Sequence, residues 1–425
     1  MAQSAAMYRQ PRRLAVTTTL LAALVVAACG SPAALCDESV TGEAATLAPD
    51  DPSNEIYAEI ERQVEELRGL SATTPVARGV FDTAGVCAYL RKGFREDNPE
   101  SLVAGIERLY KELALLPEEA SLEQLYLELL TSQVAGLYDD ETKHMYVVAK
   151  DGVIGPVEKY TYAHEYDHAL QDQAFVLKDV IDEAADQSDR TMARASLVEG
   201  EATLLMTLWA QRHLTPAELS QVANSVTPAQ QAVLDRMPPI LKDPLTFPYL
   251  GGLNVTAGAW AQGGYDAVDE LFRDPPDSTE QILHPDKLAA DEPPVAVAFP
   301  DDLAERLGEG WTVSLEDTLG EFQLEVILRD AGAAATGDAA AGWGGDRVAL
   351  IEGPGDEVAV VLDTAWDSEG DADQFAAALA PTVAELEAMG RTPQVLRPAP
   401  DRVVLLSAES PDTLGRVASV LGLAG

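Results

Sequence analysis

Two histidines four residues apart, with a glutamate directly after the first, stand in the stretch YTYAHEYDHALQDQ, Tyr160 to Gln173. The chain holds 5 histidines in 425 residues, and two of them are here. If the stretch is helical, residues four apart share one face. His164 and His168 then direct their imidazoles at one point. Zinc takes neutral imidazole nitrogens at about 2.0–2.1 Å and, in catalytic sites, keeps an open position for water. The metal lowers the pKa of that water. Glu165, beside the ligand face, is placed to take its proton. The HExxH spacing therefore predicts a Zn2+ site with His164 and His168 as ligands and Glu165 as general base.

A catalytic zinc needs a third protein ligand. The downstream stretch SLVEGEATLL offers Glu199 and Glu201 at the start of an apolar run. The flanking Leu197, Val198 and Leu204 bury such a helix, and a buried carboxylate is costly unless it is paired or bound to metal. On the residues alone both glutamates stay open, and Glu199 also suits the positive end of a helix. Here the sequence resembles the gluzincin metallopeptidases, in which HExxH on one helix is joined by a glutamate on a later helix, in several branches within E-G-x-A. Glu199-Gly200-Glu201-Ala202 matches that context. The resemblance implies Glu199 as the third ligand, with Glu201 on another side of the helix. The span from His168 to Glu199 is longer than in compact thermolysin-like sites, so a loop or extra helix is inserted. The resemblance also implies a peptide-binding edge strand before the HExxH helix, with Met145–Val148 or Ala135–Tyr138 as candidates.

A second resemblance is to an uncharacterised bacterial lipoprotein family carrying HE-x-x-HALQDQ. It runs through most of residues 56–375 and includes LRGL, GLYD, FPYLGG, DPPDSTEQILHPDK and GWGGD. It implies a peptidase whose substrate is undefined. Within these blocks His284 and Tyr249 are candidates to donate a hydrogen bond to a tetrahedral oxyanion, an interaction often worth about 2.7–4 kcal/mol. Asp172, one turn after His168, is read as a solvated carboxylate or an orienting partner of that histidine. His213 sits near a helix end, and His144 begins a strand.

The elements that must hold these groups are mostly helical. EIYAEIERQVEELRGL places Ile56, Ile60, Val64 and Leu67 on one face. Further helices follow up to SLEQLYLELLTSQ. Two β-prone runs, Gln133–Tyr138 and His144–Ala149, then flank the polar turn at Asp139–Lys143 and predict a hairpin. The HExxH segment reads as a helix from about Val157. Past Gly320 the composition shifts, and AGAAATGDAAAGWGGDR reads as a linker. Strands at Val348–Glu352, Val358–Leu362 and Val403–Ser407 alternate with helices at Ala372–Met389 and Asp412–Leu421. The predicted fold class is α+β. A predominantly helical, zincin-like domain with a small β-hairpin at residues 55–325 precedes a linker and a small α+β domain at 326–425.

The N-terminus reads as a targeting segment. Arg9, Arg12 and Arg13 precede an apolar run from Leu14 to Ala28, which ends in VVAAC. This resembles a bacterial lipobox, which implies a signal peptide at 1–28, cleavage before Cys29 and lipid attachment there. Residues 29–54 are small, polar and Pro-containing, and read as a flexible tether. An exported chain favours disulfides, so a Cys36–Cys87 bridge is a candidate. The formal charge of −42, from 71 acidic and 29 basic side chains, excludes nucleic acid as a partner, since phosphate contacts need clustered Lys and Arg. It fits a solvated surface, and adaptation to high salt is the sharper expectation. Together these readings predict a membrane-anchored, extracytoplasmic zinc peptidase acting on peptides or proteins. The alternative is an inactive zincin fold that binds a peptide, polymer or protein partner.

Overall fold

The structure is a computed structural model. It describes residues 45–48, 50–148, 154–182, 184 and 186–423. The expected signal peptide, the expected lipid attachment at Cys29, and Cys36 lie outside the described residues. Cys87 is fully buried and disulfide-bonded.

The first half builds a helical body around a small sheet. Its strands are β1 (Ala45–Thr46), β2 (Ala77–Phe81), β3 (Gly136–Asp139) and β4 (His144–Val148), and its helices are α1 (Ser53–Arg68), α2 (Thr83–Asp97), α3 (Glu100–Glu112), α4 (Leu122–Gln133), α5 (Pro156–Phe175), α6 (Leu177–Ile181) and α7 (Ser188–His213). The body continues through α8 (Pro216–Ala223), α9 (Pro228–Arg236), α10 (Pro239–Gly263), α11 (Tyr265–Arg273), α12 (Thr279–Leu283), α13 (Pro285–Ala289) and α14 (Leu303–Leu307). The small sheet has order β1-β2-β4-β3, with β2 and β4 parallel and the outer pairs antiparallel. The predicted hairpin is β3–β4.

The second sheet is antiparallel, in the order β5 (Thr312–Asp317), β6 (Trp343–Glu352), β7 (Val358–Trp366), β9 (Arg402–Ala408), β8 (Thr392–Ala399). It carries α15 (Gly320–Asp330), α16 (Thr336–Ala340), α17 (Glu369–Ala378), α18 (Ala380–Ala388) and α19 (Pro411–Val420). Its strands are apolar on both faces. Val348, Leu350, Val360, Leu362, Val403 and Leu405 join a core that includes Leu109, Leu241 and Phe247 of the helical body. The alternate residues Ala349, Ile351, Val361, Val404 and Leu406 pack with Leu303, Leu307 and Val417 of α14 and α19. This period of two is what strands buried on both sides require.

The α+β class is as read from the sequence, and two boundaries are corrected. The C-terminal sheet begins with β5 at Thr312, not after residue 326, because β5 pairs along β6 from Thr312↔Glu352 to Asp317↔Val348. The stretch read as a linker forms α16 and opens β6. Ala45–Thr46, expected in the tether, pairs with β2. Gly344 and Gly345 hid the start of β6, since glycine is depleted in strands.

The seam between body and sheet is fastened by carboxylates at helix starts. Asp346 accepts the amides of Leu319 and Gly320 at 2.9 and 2.8 Å, and the Trp343 indole N–H at 3.0 Å. Asp317 accepts Ser188 N at 2.9 Å at the start of α7. Orphan amides at a helix N-terminus need such acceptors. These contacts fix where α7 begins, and α7 carries the candidate third ligand.

Candidate metal centre

α5 starts at Pro156, a residue suited to the first helical position. The amide of Gly155 donates to Glu158 at 2.9 Å. From there 12 consecutive residues, Thr161 to Asp172, are buried. A helix buried all round lies between layers; β3, β4 and α1 pack on it, and α7 crosses it.

The α5–α7 crossing brings His164, His168 and Glu199 together. His164 Nε2 lies 3.0 Å from His168 Nε2 and 3.1 Å from Glu199 Oε2; His168 Nε2 lies 3.5 Å from the same oxygen. Two donors at tetrahedral positions on one zinc stand about 3.4 Å apart, so the three atoms fit one small cation. Both histidines are 0 % exposed and Glu199 is 5 % exposed. Among the described residues this is the one group of three or more His, Cys, Asp or Glu side chains able to hold a metal ion.

The charges agree with that use. Burial alone would raise the Glu199 carboxyl, but the two imidazoles outweigh it and hold the group at about 2. Burial, then the neighbouring His168, pushes His164 down. Burial also disfavours a charged His168, yet Glu199 and Glu165 lift it to about 9. The surroundings thus set the two imidazoles apart, favouring neutral His164 and charged His168. The three ligand atoms lie close enough together to hold one metal ion.

Glu165, on the next position of α5, is fully buried. It is close enough to act electrostatically on both His168 and Tyr249. β3 runs against it: a Cβ added at Gly136 would lie 3.2 Å from Glu165 Cγ and 2.8 Å from Thr161 Cγ2.

α10 delivers Tyr249. Its ring stacks on His164 with centroids 5.9 Å apart. Burial, then Glu199 and Glu165, raises the phenol well above its ordinary value, and its hydroxyl hydrogen-bonds to Glu199. The approach depends on two glycines. A Cβ on Gly200 of α7 would stand 2.1 Å from the Gly252 carbonyl carbon, and one on Gly252 would stand 1.8 Å from Ser196 O. Glycine is required at both positions because backbone meets backbone. The next residue, Leu250, is 66 % exposed, so this turn of α10 reaches from the triad to solvent.

Glu201 faces away from the triad. It pairs with Arg68 Nε at 2.8 Å and receives the Gln171 amide. Gln171 also holds His168, whose Nδ1 is 2.9 Å from Gln171 Oε1. Sequence reading missed Arg68 and Gln171, although LRGL and HALQDQ contain them. The available signal was that Gln171 lies three residues after His168, on the same helix face.

Other expectations are redirected. His284 does not point at the triad: its Nε2 pairs with Glu321 Oε1 at 2.8 Å, beside Lys287 and Glu280. Those groups lie at α12, α13 and α15, so of the two candidate oxyanion donors Tyr249 is the one that stands beside the triad. Asp172 is buried, but it accepts from Tyr138 Oη at 2.8 Å and from Lys143 rather than holding His168. β4 is an inner strand, which removes Met145–Val148 as a free edge. β3 has no strand on its outer side among the described residues, yet Gly136, Leu137 and Tyr138 are buried. The span between His168 and Glu199, where a loop or extra helix is expected, contains the short helix α6.

Comparisons add little to this geometry. Residues 306–417 match a family described as a domain of unknown function, DUF8575. That segment is the C-terminal sheet unit and contains none of the triad. No curated protein matches the chain. One solved structure that resembles it is a "putative hydrolase with a novel fold" from Chloroflexus aurantiacus, at 20 % identity and a TM-score of 0.37, covering 58 % of this chain and 93 % of that one. A likeness at that level establishes no common fold.

Proposed function

We propose that this protein is a zinc-dependent peptidase of gluzincin type, exported and anchored to the cell membrane through a lipidated Cys29. The observation that carries the reading is the convergence of His164 Nε2, His168 Nε2 and Glu199 Oε2 within 3.0–3.5 Å, with Glu165 next to them on α5. His164, His168 and Glu199 would hold the zinc, and Zn2+ in such a site supplies Lewis acidity toward a carbonyl and an acidified water. Glu165 takes a proton from the attacking water and returns it to the leaving amine. Tyr249, bonded to Glu199 in the resting state, is the donor placed to turn toward an oxyanion as charge develops on it. The burial of the triad keeps bulk water from these groups, which strengthens each electrostatic contact.

Membrane attachment rests on the sequence, through the VVAAC lipobox. Among the described residues no helix is long and apolar enough to cross a membrane.

Turnover separates this reading from that of an inactive zincin fold that binds a partner. The mature protein is expected to cleave casein or members of a mixed peptide library. A chelator such as 1,10-phenanthroline should abolish that cleavage, and added Zn2+ should restore it. Zinc bound without cleavage across several substrate classes would favour the binding protein. Cleavage indifferent to the chelator would contradict the metal mechanism.

A further inference from the structure

Behind His168 lies a chain of buried polar groups that the peptidase reading does not use. Gln171, on the same face of α5, is 0 % exposed, as is Glu201, and Arg68 is 2 % exposed. The Gln171 amide nitrogen faces Val198 O at 3.1 Å, Glu201 Oε2, and Asp167 Oδ2 at 3.5 Å. All three are acceptors, so the nitrogen must point there and Gln171 Oε1 must point the other way. That oxygen lies 2.9 Å from His168 Nδ1 and can only accept. His168 Nδ1 therefore carries a hydrogen. Glu201 is held in turn by Arg68 Nε at 2.8 Å. The Arg68 guanidinium also pairs with Asp269 at 2.7 Å and lies 4.6 Å over the Tyr265 ring. His164 has no equivalent support: its buried Nδ1 lacks a hydrogen-bond partner among the described residues.

We infer that Arg68, Glu201 and Gln171 form a positioning relay that fixes the hydrogen on His168 Nδ1, orients the ring and presents Nε2 as the ligand atom. The inference rests on the metal reading above. It gives a use to the second glutamate of VEGEA: Glu199 faces the cation, and Glu201, two residues later, anchors the support of the opposite ligand. It also explains why the C-terminal end of α1 is drawn into the molecule at Arg68. An unpaired buried guanidinium or carboxylate would be costly, and Arg68 here meets two carboxylates, Glu201 and Asp269.

Partners behind a ligating histidine commonly change metal affinity by about 10–100-fold. The test is zinc affinity, by competition with a chromophoric chelator, for wild type, Gln171→Met and Glu201→Gln. Two further readings accompany it: the visible spectrum of the Co2+-substituted forms and the melting temperature of each protein in EDTA. The expected result is zinc dissociation constants about 10–100-fold higher in Gln171→Met, with a shifted Co2+ spectrum and a metal-free melting temperature near that of wild type. Glu201→Gln, which keeps the side-chain volume, is expected to move affinity in the same direction and stands in if Gln171→Met does not fold. Wild type that binds zinc while both variants match it within about twofold, with unchanged Co2+ spectra, overturns the relay alone. Wild type that takes up no metal overturns the metal reading, and the relay with it.

Discussion

Glu165→Gln is expected to purify with the metal content of wild type and to hydrolyse peptides about 10²–10⁴-fold more slowly, the usual contribution of a positioned general base. Glutamine has the same shape, so α5 and its packing against β3 are preserved. His164 and His168 lie on the neighbouring face of the helix, and the substitution leaves their nitrogens in place. What disappears is an acceptor able to take a proton from water. A single-turnover assay should show the loss in kcat with little change in KM, because Glu165 is asked to act only as the bond is attacked. If Glu165→Gln cleaves peptides at the wild-type rate, the base is another group. If its metal content falls with its activity, Glu165 supports the ligands.

The second large effect is expected at a residue that carries no side chain. Gly252→Ala puts a Cβ about 1.8 Å from Ser196 O by ideal placement, and no side-chain rotation relieves a clash with backbone. α7 and α10 must part. Overpacking of this kind costs about 1–3 kcal/mol, occasionally more. The separation displaces Glu199 and Tyr249 together, since both ride on these helices. A misplacement of about 1 Å can cost about 10²-fold in rate. The expected outcome is a lower melting temperature and at least that loss in peptide cleavage. Gly258→Ala, at a position with open space around it on the same helix, is the control and should leave both nearly unchanged. Gly252→Ala with wild-type stability and activity would mean that the close α7–α10 approach does not set the site.

Much of this is legible in the sequence, and for identifiable reasons. The i, i+4 spacing of His164 and His168 puts both rings on one face of α5 before any fold is known. The E-G-x-A context favours Glu199 over Glu201; the physical ground is the helical rotation between them, which turns Glu199 to the imidazoles and Glu201 to Arg68. The hairpin is marked by its polar turn. Hidden are contacts between distant segments. Arg68 meets Glu201 across the body, and a lone arginine near a helix end carries no signature of such a partner. His284 looks catalytic because it stands in the DPPDSTEQILHPDK block of the family resemblance, but its place between α12 and α13 pairs it with Glu321 at the seam with the C-terminal sheet. β5 escapes notice because its residues, Thr312–Asp317, are mostly exposed or half-buried and give no apolar run.

The central claim is that His164, His168 and Glu199 hold one metal ion, and the most direct test is the metal stoichiometry of the purified mature protein by mass spectrometry of its elements. The account predicts about one zinc per chain in wild type and essentially none in His164→Ala, since removing one of three buried ligands leaves two. Zinc at unchanged stoichiometry in His164→Ala, or none in wild type purified without chelator, would contradict it.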